Sequence, residues 1–200
     1  MQYFDNYQIN FEKRNPAKGV DPLFYKRWSP RSFKKNEIPE DVLLAIFDAA
    51  RWAPSCYNEQ PWVFLTSSGK KDFDLFLSLL LESNQTWACN CSLIGFILGR
   101  KKFTANKKDN PWSSFDCGAA WMSMTLQARK YGLYTHGMAG IKKEEIYKTM
   151  DIPKDDYKVI CGFTLGIIEF PDNLSPELSA REQPSERLSL KKIWKKGGLK

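Results

Sequence analysis

Arg27-Trp28-Ser29-Pro30-Arg31-Ser32-Phe33 sets two guanidinium groups and a hydroxyl at alternate positions. Pro30 restricts Ser29 to extended geometry, and in an extended segment residues i, i+2 and i+4 share one side. Arg27, Ser29 and Arg31 then converge on one anion, and two guanidinium forks with a hydroxyl between them are good phosphate chemistry. The same residues also read as an exposed basic loop whose arginines pair with nearby acids. A second polar cluster, Ser55, Asn58 and Gln60, falls in a turn bracketed by Pro54 and Pro61. Such uncharged donors and acceptors suit the edge of a heterocycle carrying carbonyls and ring nitrogens, or simply a polar turn. The third stretch, a loop at 132–140, holds three glycines around Met138, Ala139 and His136, which reads as a base or as a structural or incidental residue. Glycine lets backbone approach a ligand closely and frees its N–H groups to donate. Finally, Arg187 is placed to complete a phosphate site, or else to stand exposed in a basic tail.

Other chemistries are excluded by what the chain lacks. It has one histidine, so a metal site built on several imidazoles is impossible within one chain, and no metal is expected. Any triad would have to use that one imidazole. Neither GxGxxG nor GxxxxGK[ST] occurs. The five cysteines form no CxxC pair, and no Lys or Arg adjoins Cys56 to depress its pKa. With no catalytic side chain in evidence, the reactive group is expected to be a cofactor. The net charge of +7 is partly concentrated in 187–200. It favours anionic partners, although a solvated surface accounts for it without nucleic acid.

The elements that must position these residues follow from periodicity. Pro39, Glu40 and Asp41 open a helix whose apolar positions are Val42, Ile46, Ala49 and Ala53, stopped at Pro54. Residues 61–66 read as a strand, 73–81 as an amphipathic helix, and 92–98 as a buried strand or helix turn. A long helix is expected over 116–131 with Gly132 as terminator, another over 142–151, and a central strand over 157–168. The pattern is α+β, one domain over 1–200, with an N-terminal arm at 1–20 and a basic C-terminal arm at 181–200. No secretory leader and no apolar run long enough for a bilayer is read, so a cytoplasmic, membrane-free protein is expected.

Taken in order, RWSPRSF at 27–33, AARWAPS at 49–55, NEQPW at 58–62, GLYTHGMAGI at 132–141 and SERLSLKKI at 185–193 closely resemble the nitroreductase superfamily of flavoproteins. Asn84, Gln85, Trp87-Ala88 and the 116–120 helix fit as well. The resemblance spans roughly 20–195. It implies a central, mostly antiparallel sheet flanked by helices, and a tight homodimer with segment exchange. It also implies FMN as cofactor, bound without covalent attachment, and NADH or NADPH as co-substrate. By resemblance, Arg27, Trp28, Ser29, Arg31 and Arg187 fall on the phosphate and ribityl side. Ser55, Asn58 and Gln60 fall where the second subunit approaches the ring, and Met138, Ala139 and Gly140 face the reactive nitrogen. One departure is Ala139, where some relatives carry an acid. The implied acceptors are flat, electron-poor molecules such as nitroaromatics and quinones, and the rival reading is a non-catalytic FMN carrier.

Overall fold

The computed structural model describes residues 2, 3, 5 and 7–199. Met1, Phe4, Asn6 and Lys200, which belong to the two arms, lie outside the described residues. The fold is organised on one long strand, β5 (Tyr157–Ile168). Strand β3 (Leu93–Arg100) pairs with it antiparallel from Leu93↔Leu165 to Arg100↔Tyr157, with an irregularity at Ile97/Leu98. Strand β4 (Tyr134–Met138) takes its other edge, from Tyr134↔Gly166 to Met138↔Gly162. The short β1 (Phe33–Lys34) continues at Ile168 and Ile167, and β2 (Trp62–Thr66) pairs outside β3. Every pairing is antiparallel. This is the expected α+β architecture.

Both faces of the sheet are covered, which is why β3 and β5 read as nearly continuous apolar runs rather than alternating ones. On one face Ile94, Phe96 and Leu98 join Phe73 and Phe76 of α3 (Gly69–Ser78), Trp87 of α4 (Glu82–Ala88) and Ile146 of α6 (Lys143–Thr149). On the other, Ile97, Phe163 and Leu165 meet α2 (Glu40–Arg51) and α5 (Ser113–Lys130). Helix α2 begins after Pro39 with Glu40 and Asp41 in its first turn. It buries Val42, Ile46 and Ala50, a stripe at four-residue spacing. Among the described residues no helix is long and apolar enough to cross a membrane.

Two segments depart from the expectation. The long helix starts at Ser113 rather than Asp116. Asn110 turns the chain there, its Oδ1 accepting the Trp112 N–H at 3.1 Å, and Asp116 sits buried inside the helix. The glycine-bounded stretch after it is largely strand, not loop, because the edge of β5 supplies a ladder for Tyr134–Met138. Of the two readings open for 92–98, the strand is the one found, as β3. Helices α1 (Pro22–Lys26) and α4 carry too few periodic positions to be read from sequence.

The N-terminal segment runs back over the body. The Tyr3 N–H donates to the Tyr131 carbonyl at 2.7 Å, the Asp5 carboxylate accepts from the Tyr134 hydroxyl at 2.9 Å, and Tyr7 stacks on Phe170 at 4.9 Å. At the C-terminal end, the chain continues through α7 (Pro176–Ser179) to α8 (Leu190–Ile193).

At Gly95 the sheet has no room for a side chain: an added Cβ would lie 2.3 Å from Phe163 Cζ and 2.7 Å from the Leu65 carbonyl oxygen. Phe163 is fully buried and also touches Phe64 and Trp121, so it has nowhere to retreat. Gly95→Ala should therefore lower stability by ~1–3 kcal/mol through overpacking. The expected readout is a lower urea midpoint at unchanged slope. A wild-type midpoint would show that the ring yields freely.

Candidate functional site

Helix α1 is capped by Asp21, whose carboxylate accepts the Leu23 N–H, and it ends at Arg27 in extended geometry. From there Trp28 and Pro30 are buried while Arg27, Ser29 and Arg31 keep partial exposure. This is the alternation that the proline spacing predicts. Arg27 Nη1 donates to Ser29 Oγ at 3.3 Å. Arg27, Trp28, Ser29, Arg31 and Arg187 line one pocket of about 290 Å³, together with Arg14, His136, Arg181, Gln183 and Ser185.

The electrostatics of this pocket are lopsided. Arg31 lies 4.0 Å from the Glu182 carboxylate and Arg181 lies 3.9 Å from Glu177. Among the described residues no carboxylate forms an ion pair with Arg14, Arg27 or Arg187. Burial, and then the neighbouring Arg187, push the Arg27 pKa down. Among the described residues the Arg187 guanidinium donates to its own neighbours, to Ser185 Oγ and the Glu186 carbonyl at 3.1 Å and to the Ser185 carbonyl at 3.5 Å. Positive charge gathered with so little counter-charge favours an anionic ligand.

Two groups hold the arginine segment in place. Glu182, its side chain fully buried, accepts the backbone N–H groups of Arg31 and Ser32, the latter at 2.7 Å. Burial raises its pKa against the effect of those bonds and of Arg31. His136, on β4, lies 2.8 Å through Nδ1 from the Pro30 carbonyl, and its ring rests 4.7 Å from that of Trp87. Burial above all, with Arg31 and Arg27 adding to it, pushes the imidazole pKa down to about 4. A carbonyl only accepts, so the neutral ring carries its proton on Nδ1. Sequence reasoning missed Glu182 and Arg14, since neither stands in a recognisable motif. Of the readings weighed for His136, a base or a structural or incidental residue, this bond favours the structural one, a positioning group.

The second cluster lies in a separate place. Cys56–Asn58 form a 3-10 turn with Tyr57, Asn58 and Gln60 at φ 52°, 57° and 48°. Positive φ at three non-glycine residues is strained backbone, which persists only where its surroundings impose it. Here they do. Ser55 Oγ accepts the Gln60 N–H at 2.9 Å, Asp116 accepts the Cys56 N–H at 3.2 Å, and Arg100 donates to the Gln60 carbonyl at 2.7 Å. The Gln60 side-chain amide donates to the Asn58 carbonyl at 2.9 Å, and Asn58 stays exposed. Ser55 lines a smaller pocket of about 200 Å³ with Cys56, Trp112, Phe115 and Asp116, and this shares no residue with the arginine pocket.

The third cluster follows β4. Met138 is buried and Ala139 exposed. The Gly140 carbonyl accepts from the Leu81 N–H at 3.0 Å and from Asn84 Nδ2 at 2.9 Å. A Cβ on Gly140 would meet that amide at 2.6 Å, so the glycine is needed for the close approach. The structure thus brings together the arginine-segment residues and Arg187, but not these with Ser55, Asn58 and Gln60 within one chain.

Comparison with known proteins places this geometry. The nitroreductase family matches over residues 25–86 and 66–167. A solved oxidoreductase containing FMN superposes with a TM-score of 0.90 at 40% identity, covering 96% of this chain and 99% of its own. A nitroreductase family protein from Clostridium difficile gives a TM-score of 0.68 at 22% identity, over 88% of this chain and 97% of that one. Nitroreductase NfnB of Mycolicibacterium smegmatis is 38% identical over 53 residues, 26% of this chain. That match spans only 23% of the relative's length. The chain belongs to the nitroreductase family.

The His136 bond makes a pH prediction. The folded imidazole titrates at about 4 against an ordinary 6.5, so the unfolded chain takes up the proton first. Stability is fully present above about 6.5 and is lost as pH falls from there towards 4. His136→Gln keeps a donor for the Pro30 carbonyl but cannot titrate. Its thermal midpoint should fall less than the wild type's across that window, and parallel curves would remove His136 as the cause.

Proposed function

We propose that this protein is an FMN-dependent oxidoreductase that acts as a homodimer. It takes reducing equivalents from NADH or NADPH and delivers them to a flat, electron-poor acceptor such as a nitroaromatic or a quinone. The observation that carries the reading is the set of guanidinium groups lining one pocket, of which Arg14, Arg27 and Arg187 have no paired acid among the described residues. A phosphate monoester supplies the missing negative charge in the geometry that forked donors favour. The donor set therefore fits FMN, the group present in the relative of 40% identity. In this reading Arg27, Ser29, Arg31 and Arg187 hold the phosphate end, with Trp28 packed behind them. Ser55, Asn58 and Gln60 of the second subunit meet the edge of the ring. The backbone of Met138, Ala139 and Gly140 is directed at its reactive nitrogen.

Bound FMN supplies the hydride chemistry. The chain's own part is to bind, orient and exclude water. No side-chain nucleophile or general base is required, which agrees with a neutral His136 already committed to Pro30. Burial above all pushes the pKa of Cys91 far above the ordinary thiol value and that of Cys117 up to about 12. Neither is a thiolate at neutral pH, which suits a mechanism without thiols.

The dimer is supported by what one chain leaves uncovered. Trp52, Tyr57, Trp112 and Phe115 are all more than half exposed beside or near the Ser55 turn. So are Leu188, Leu190, Ile193 and Trp194 on the C-terminal segment. Apolar surface of this extent marks an interaction site. The five free cysteines agree with a cytoplasmic location.

Colour and turnover test the reading. Purified protein loaded with FMN should be yellow, bleach with NADH or NADPH, and regain colour with a quinone; yellow protein that resists both nicotinamides would be a carrier instead. Arg27→Ala and Arg187→Ala should each lose charge-assisted bonds worth ~1.5–3 kcal/mol, weakening FMN at least about tenfold. Unchanged FMN titrations in both variants would sink the assignment. Mixing Arg187→Ala with Asn58→Ala subunits should restore part of the activity, because both lesions fall in one of the two shared sites. No recovery in a verified heterodimer would argue that each site is built from a single chain.

A further inference from the structure

We propose that Arg14, on the N-terminal segment, is a further ligand of the phosphate faced by Arg27, Ser29 and Arg187, so that one anion fastens both ends of the chain to the same pocket. The inference rests on the reading of that pocket as the FMN phosphate site. The sequence offers no hint of it: Arg14 stands thirteen residues before Arg27, outside every motif.

Arg14 lines the pocket beside Arg27, Ser29 and Arg187. Its backbone is fixed, for its N–H donates to the Phe11 carbonyl at 2.8 Å, and Ile9 and Phe11 just before it pack on the core. Its side chain is only partly used. Nη1 donates to the Tyr25 carbonyl at 3.3 Å, whereas Nε is buried with no partner. Among the described residues no carboxylate pairs with it. Burial first, then Arg187, then Arg27, push its pKa down, so the three cations feel one another directly.

The guanidinium is therefore partly buried, charged and without a paired carboxylate among the described residues. A cation drawn partly out of water beside two others is costly unless an anion pairs with it. The ligand must be an anion, since like charges face one another across the pocket. A phosphate oxygen satisfies a planar guanidinium edge, which a ribityl hydroxyl cannot match in charge. Arg187 approaches from the C-terminal segment and Arg14 from the N-terminal one. A dianion between them converts their mutual repulsion into a common attraction, and both segments become harder to detach.

Wild type, Arg14→Ala and Arg14→Lys would be titrated with FMN and with riboflavin, which has the same ring and ribityl chain but no phosphate. Arg14→Ala should weaken FMN at least about tenfold and leave riboflavin unchanged, with Arg14→Lys in between. Trypsin cuts after Lys13 and Lys18 should slow in wild type on adding FMN or inorganic phosphate, and this protection should vanish in Arg14→Ala. Equal FMN affinity of wild type and Arg14→Ala overturns the proposal, as does an equal loss for FMN and riboflavin, which would mean a merely structural role. A wild type that binds neither flavin, or both alike, overturns instead the phosphate reading on which the proposal rests.

Discussion

Guanidinium groups repel, and in this protein a set of them is held around one small pocket with little acid to relieve it. Much of the surrounding structure is accounted for by that constraint. Trp28 and Pro30 are buried so that the side chains between them must face the pocket. Glu182 is buried as well, but it spends one oxygen on the backbone N–H groups of Arg31 and Ser32, so it positions the segment more than it neutralises it. His136 stays uncharged and grips the Pro30 carbonyl from β4. The sheet thereby carries the strain of keeping like charges together, and its two-sided core supplies the stability to do so.

The second constraint is geometric. The turn at Ser55–Gln60 is bent through three left-handed residues and then locked from three directions by Ser55, Asp116 and Arg100. It leaves Asn58 and Tyr57 exposed, and the pocket it lines shares no residue with the arginine pocket of its own chain. A preformed polar edge with no local ligand to meet makes sense when a second copy provides one. The exposed rings around it would be covered at the same time. Preorganisation of this kind lowers the ordering cost of binding.

Much of this was legible in the residues. The α2 stripe, the length of β5 and the alternation around Pro30 were all readable, because each rests on a local rule: helical spacing, continuous apolar character or proline geometry. Segments whose structure depends on a partner strand were not. Tyr134–Met138 has glycines at both ends and looked like a loop until the free edge of β5 was in view. Asp116 looked like a helix start because an acid suits that place, yet its carboxylate serves a turn sixty positions away. Glu182 and Arg14 were invisible for the same reason. Their roles come from where the chain ends return to the body, and no spacing within the sequence encodes that return.

The position of β5 late in the chain also governs how the molecule can be made. On the ribosome the polypeptide emerges from its N-terminus, so β2 and β3 can form their hairpin-like ladder early. The inner edge of β3, with its uninterrupted apolar face, must then wait for Tyr157–Ile168 to arrive. During that interval the nascent chain carries an unpaired strand edge of the kind that invites association with neighbouring chains. Strands β1 and β4 wait for the same strand, and the arginine pocket waits longer still, since Glu182 and Arg187 follow β5. Completion of the sheet is therefore a late event. Truncation shortly before residue 157 should leave not a smaller version of the protein but a chain whose sheet is reduced to the β2–β3 ladder.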